Sequence, residues 1–159
     1  MAKRKEKDPF TKAYDKALRL LGVRGRSTRE MSERLEAHGF GKEIIGKVLD
    51  RLCETGLLDD ERFAFERARS MGGGKGWGPR KLRWDLARYG LGGEVADRAI
   101  EHAYGARSCE QVMRRLVERR FGREVMSAGA DGKLRGKAQR YLLGRGFEPE
   151  QVQSLFDPL

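Results

Sequence analysis

The chain has 159 residues, 38% of them hydrophobic and 36% charged, a balance apolar enough to fold as one domain or a few small helical modules but too polar for one thick core. It holds no apolar run of about 18 residues, which excludes a membrane-spanning helix, and its basic start, Met1 to Lys7, has no apolar stretch behind it to act as a secretory signal. Its net charge of +10 and pI of about 9.9 favour a polyanion or an acidic protein surface as partner, and its two distant cysteines exclude a disulfide framework and point to a reduced, cytoplasmic protein.

Residues 1–9 read as a basic, flexible tail. Over residues 10–22, Tyr14, Leu18 and Leu21 fall on one helical stripe. Ser27-Thr28-Arg29-Glu30 has the form of a capping box, in which Ser27 accepts from the backbone of Glu30 and Glu30 reaches back. That helix runs to Leu35 and ends at Gly39, followed by Phe40. Beyond it, Val48, Leu49 and Leu52 have the spacing of a second buried face, with Cys53 read as a small core residue. His38, just before the glycine, suits the negative end of a helix.

The same corner recurs. Leu86 is followed by Gly90 and Leu91, then by Ala99, Ile100 and Ala103; Leu142 is followed by Gly146 and Phe147, then by Leu155, Phe156 and Leu159. In each copy the leucine ends a helix, the glycine takes the left-handed position after it, and a second helix follows at an angle. A further helix precedes each corner. In the second copy it carries Phe63, Ala64, Arg67 and Ala68, with Asp59 or Asp60 as its cap. In the third it carries Val112, Met113, Leu116, Val117 and Phe121. Period-two alternation is absent. The expectation is therefore an all-α chain of three tandem three-helix repeats, over residues 10–58, 59–105 and 106–159, elongated and curved, with no sheet.

Two loops stand out. Gly72-Gly73-Gly74-Lys75-Gly76-Trp77-Gly78 reads as a flexible linker that lets two helices reorient. It is not a nucleotide-binding loop: Arg69 stands where such a loop needs glycine, Gly76 where it needs Ser or Thr, and a helix rather than a strand precedes it. Ser127 to Gly132 reads as a second mobile loop. His38 and His102 are too isolated for a metal site, and no nucleophile–base pair can be assembled, so neither enzyme activity nor a cofactor is expected.

Charge is uneven. Residues 1–30 carry ten basic and four acidic side chains, residues 31–74 seven and nine, residues 75–108 seven and four, and residues 109–147 ten and four, before a short acidic end. On the helix that Pro79 opens, Leu82, Leu86 and Tyr89 form the inner stripe. Arg80, Trp84 and Arg88 form another face, either a binding hot spot or a packing surface for a neighbouring repeat. In the third repeat Arg114, Arg115, Arg119, Arg120, Arg123, Lys133, Arg135, Lys137, Arg140 and Arg145 make a dense basic surface suited to phosphate.

With these residues in view, the chain from about Ala13 onward resembles the RecX family, regulators of the RecA recombinase. Three stretches carry the likeness: Arg26-Ser27-Thr28-Arg29-Glu30-Met31-Ser32-Glu33-Arg34-Leu35 with Gly39-Phe40; Gly56-Leu57-Leu58-Asp59-Asp60-Glu61-Arg62-Phe63-Ala64; and Lys75-Gly76 with Pro79, Leu82, Leu86 and Gly90. In the last, Trp77-Gly78 departs from the pattern by separating Lys-Gly from its proline. The resemblance implies a monomer that docks in the groove of a RecA filament on single-stranded DNA. There it would restrain ATP hydrolysis, strand exchange and repressor self-cleavage, functions of DNA repair, recombination and the SOS response. It also implies weak binding to DNA, single-stranded and double-stranded. The alternative reading is a helical DNA-binding protein that acts without RecA.

Overall fold

A computed structural model describes residues 6–157. Among the described residues there are nine α-helices and no strand: α1 (Pro9–Val23), α2 (Thr28–Ala37), α3 (Lys42–Glu54), α4 (Asp60–Arg69), α5 (Pro79–Arg88), α6 (Gly93–Glu101), α7 (Cys109–Phe121), α8 (Gly132–Gly144) and α9 (Pro149–Phe156). A π-helical turn, Ser70–Gly74, extends α4, and a 3-10 turn, Arg123–Met126, follows α7. By contacts the chain divides into two compact units. One ends at Phe63 and takes in Tyr89–Leu91; the other comprises Ala64–Arg88 and the chain from Gly92 onward.

The first unit packs α1, α2 and α3 around Ala13, Ala17, Met31, Leu35, Ile45, Val48, Leu52 and Leu58. Full burial of a side chain such as Met31, Leu35 or Leu52 contributes about 1.5–3 kcal/mol. The fully buried line of α1 is Ala13 and Ala17; of the expected stripe, Tyr14 and Leu21 pack half-buried against this core, and Leu18 is 38% exposed. Small residues one turn apart let α1 lie close, with Phe10, Tyr14, Leu20 and Leu21 packed around them. The helix begins within the stretch expected to be a tail, because Asp8 caps it by accepting from Thr11 N–H at 3.0 Å. Met1–Lys5, and Leu159 of the third corner, lie outside the described residues.

Helix ends follow the expected chemistry with two changes. Ser27 Oγ accepts from Glu30 N–H at 3.2 Å, but the Glu30 carboxylate does not return to Ser27: it receives the guanidinium groups of Arg24 and Arg26. The reciprocal box forms instead on α7, where Ser108 Oγ accepts from Gln111 N–H and Gln111 Oε1 from Ser108 N–H. Asp59 caps α4 through Arg62 N–H, which leaves Asp60 to accept from Thr28 N–H at 2.7 Å and tie the start of α4 to that of α2.

All three corner glycines have positive φ, +85° at Gly39, +76° at Gly90 and +88° at Gly146. At the first and third, the apolar residue after the glycine donates back to the leucine carbonyl, Phe40 N–H to Leu35 at 3.2 Å and Phe147 N–H to Leu142 at 3.3 Å. Leu52, Gly56 and Leu57 make the same closure, with Leu57 N–H to Leu52 at 2.9 Å and φ of +73° at Gly56. The Leu-x3-Gly-apolar pattern is thus a helix terminator. It marks a repeat only where a second apolar face follows it.

The second unit has its core in α5 to α9, with Leu82, Leu86, Met113, Val117, Val125, Leu142 and Phe147 almost fully buried. Among the described residues its one buried carboxylate is Asp85, which is 1% exposed and takes two hydrogen bonds from Arg67, at 2.7 and 3.0 Å. Both oxygens are used, as a charge in a low-dielectric site requires.

The glycine-rich stretch is not the flexible linker expected of it. Met71, Gly72, Gly76 and Gly78 are buried. Gly73 N–H donates to Ala103 O at 3.0 Å, Gly78 N–H to Arg145 O at 2.8 Å, and Tyr104 OH to Trp77 O at 2.9 Å. A Cβ on Gly78 would sit 2.3 Å from the Gly146 carbonyl carbon. Gly78 is there because two backbones cross too closely for a side chain. Ser127–Gly132 is mostly exposed and closed by local bonds: Ser127 Oγ donates to Glu124 O, Ala130 N–H to Ser127 O, and Asp131 caps α8.

Candidate nucleic-acid interface

α5 positions the first candidate group. Its inner residues Leu82 and Leu86 are fully buried, so the helical period turns Arg80, Trp84 and Arg88 outward, all exposed. Trp84 is 62% exposed, so it does not pack into the core of the second unit. Arg88 lies over its ring, 5.1 Å from the centroid. A large apolar surface held in water beside two cations suits a partner surface or a base.

α7 and α8 carry the rest. Val112, Met113 and Val117 hold α7 in the core, leaving Arg114, Arg115, Arg119 and Arg120 exposed. They are not equivalent. Arg114 pairs with Glu110 at 3.1 Å, and Arg120 lies over the Tyr141 ring at 4.9 Å. Arg115 and Arg119, one turn apart, have no carboxylate partner among the described residues. On α8, Lys133, Lys137 and Arg140 share an exposed face by their spacing. Arg135 is half-buried and structural in part: its guanidinium donates to Ser127 O at 3.0 Å, and its Nε is enclosed without a partner. Arg145 is also engaged, donating to Lys75 O at 2.6 Å.

Two basic residues outside the expected set join this unit's surface. Lys75 and Arg107 line a groove of about 330 Å³ together with Gly76, Arg115, Leu116 and Arg119. The glycines around Lys75 suggest a loop, but only the packing of that loop on α7 shows where the lysine goes.

Neither cysteine is poised for chemistry. Cys53 is exposed rather than a core residue, because the buried positions on α3 are Ile45, Val48 and Leu52. Cys109 is half-buried; desolvation pushes its thiol up to about 11, leaving it protonated at neutral pH. Burial likewise raises the Tyr104 hydroxyl above its usual range. His38 and His102 each place Nδ1 on the carbonyl four residues back, at 2.7 and 2.9 Å, as helix-end residues. Among the described residues no cluster of three or more metal-ligating side chains occurs, and no helix is long and apolar enough to cross a membrane.

Comparisons with known proteins converge. Family models described as the first, second and third three-helix domains of RecX match residues 13–52, 59–100 and 109–156. The regulatory protein RecX of Chromohalobacter salexigens is 37% identical over 142 residues, covering 87% of each chain. That of Prosthecochloris aestuarii is 31% identical over 148 residues, covering 93% of each. The crystal structure of RecX from Lactobacillus salivarius superposes with a TM-score of 0.81 at 21% identity, over 93% of this chain and 94% of that one, a likeness of fold.

Proposed function

The chain belongs to the RecX family, and from that premise we propose that it is a negative regulator of RecA. It binds in the groove of the RecA filament on single-stranded DNA and lowers the filament's ATPase, strand-exchange and coprotease activities. It acts in the cytoplasm as a monomer, by binding rather than catalysis, and needs no cofactor. Membership of a family whose relatives are named as regulatory proteins supports the role.

One structural observation carries the binding reading: the second unit presents unpaired cations on α7 beside an exposed aromatic face on α5. A filament groove is lined by protein and by phosphodiester backbone. Exposed tryptophan with arginine suits the first surface, and unpaired arginine and lysine suit the second.

The test is RecA ATPase on single-stranded DNA. Added protein should lower the steady rate at ratios below one per RecA, and Trp84→Ala should weaken inhibition without shifting the thermal melt. An unchanged ATPase rate at stoichiometric or higher protein refutes the proposal. Sequence-selective binding to duplex DNA at physiological salt would instead support a DNA-binding protein that needs no RecA.

A further inference from the structure

We infer that the cavity between the end of α4 and the end of α6, within the second unit, is a binding site for a small acidic zwitterion: a free amino acid with two carboxylates and one ammonium. The cavity measures about 600 Å³, inside the range of roughly 300–1,000 Å³ typical of small-molecule sites. Glu66, Arg69 and Ser70 line it from α4 and the π-helical turn, and Arg107 lines it from the segment after α6. Ala103 and Tyr104, both buried, supply apolar lining. The enclosing backbone is fixed. Gly73 N–H donates to Ala103 O at 3.0 Å, and a Cβ on Gly73 would lie 3.0 Å from that same oxygen. Tyr104 is held by its hydroxyl, which donates to Trp77 O at 2.9 Å.

The charges select the ligand. Glu66 and Arg69 stand three apart on α4, where opposite charges ordinarily reach one another, yet they form no ion pair. Neither they nor Arg107 has an ion-pair partner among the described residues. Two guanidiniums and one carboxylate around one cavity leave a single positive charge in excess, with both signs present. A dicarboxylic amino acid carries the complementary set. Each guanidinium takes a carboxylate through its fork of N–H donors. The ammonium donates to Glu66, and the Ser70 hydroxyl offers a further donor. A nucleic-acid strand, whose charges are all negative, would press phosphate against the Glu66 carboxylate. Arg107 also lines the groove beside α7, but that groove contains no carboxylate. The cavity therefore selects a different charge pattern, and the inference does not rest on the regulatory role.

The experiment titrates the full isotope-labelled chain with L-glutamate, glutarate or γ-aminobutyrate at constant ionic strength and follows the amide resonances. Glutarate lacks the ammonium, and γ-aminobutyrate lacks one carboxylate. L-Glutamate should shift the amides of Ser70, Gly73, Gly74 and Gly105 saturably. It should bind at least roughly tenfold more tightly than either of the others, the loss expected for one charge-assisted hydrogen bond. Arg69→Gln and Arg107→Gln should each weaken L-glutamate by a similar factor, and Glu66→Gln should abolish the preference over glutarate. Arg115→Gln, outside the cavity, should bind L-glutamate like the parent chain. All four side chains are exposed, so the variants test the site rather than the fold. Shifts scattered over the basic surface, the absence of saturation, equal affinity for L-glutamate and glutarate, or an equal loss in Arg115→Gln overturns the inference. No nucleic acid or recombinase is present, so the outcome is independent of the ATPase assay.

Discussion

Cys53 and Cys109 differ by what surrounds them, and the difference is measurable. Cys53 faces water from α3. Cys109, at the start of α7, is half-buried beside Gln151, and burial lifts its thiol to about 11. At pH 8 its thiolate fraction is roughly a hundredfold below that of an ordinary thiol of pKa about 9. An aromatic disulfide reagent should therefore titrate Cys53 in a fast phase and Cys109 much more slowly; two equal fast phases contradict the burial. The linkage has a definite sign. The folded pKa lies above the unfolded value, so this contribution is present below about pH 9 and lost as pH rises through about 11. The Arg67–Asp85 pair is legible only in the structure. Arg67 reads from sequence as one more member of a helical stripe, and nothing in the spacing reveals that Asp85 is enclosed with it.

At the scale of elements, the corners show how alike in sequence differs from alike in surroundings. Gly39 and Gly146 have nearly the same φ, +85° and +88°, but a Cβ on Gly39 meets nothing within 4 Å, and one on Gly146 would lie 2.4 Å from Lys81 Cβ. Gly39→Ala should cost only the left-handed backbone, about 1–2 kcal/mol. Gly146→Ala should cost that plus a clash. A urea melt in which Gly39→Ala is the more damaging would contradict this order. α5 divides as cleanly. Leu86→Ala should destabilise by about 2–5 kcal/mol, since its side chain is fully buried. An unchanged melt for Leu86→Ala would mean that the inner stripe is misassigned. Element positions were largely legible from sequence, because caps and apolar periods are local signals. The face of α1 is legible only in part: periodicity registers large apolar residues, of which Tyr14 and Leu21 do pack against the core, whereas close helix packing buries Ala13 and Ala17 fully.

At the scale of the molecule, the sequence suggests three tandem repeats, each of about 50 residues. Contacts add a grouping that the repeat does not contain. The Gly72–Gly78 crossing ties the second repeat to the third through Gly78 and Arg145, Arg80 and Gly146, and Gly76 and Leu116. A chain cut after Arg107 should therefore lose the cooperative urea transition of the second unit rather than simply shed one repeat. A native-like transition for Gly72–Arg107 in that fragment would show that the repeats fold independently. Sequence alone determined the helical class, the repeat, the helix ends and the basic character, because periodicity, capping and net charge are written in neighbouring residues. Only the tertiary structure decided which cations are free and which are engaged. It placed Lys75 and Arg107 beside Arg115 and Arg119, drew Arg135 and Arg145 into backbone contacts, and turned a glycine-rich stretch into a tight crossing. Each of these depends on segments distant in the chain meeting at atomic distance, and a local pattern carries no record of that.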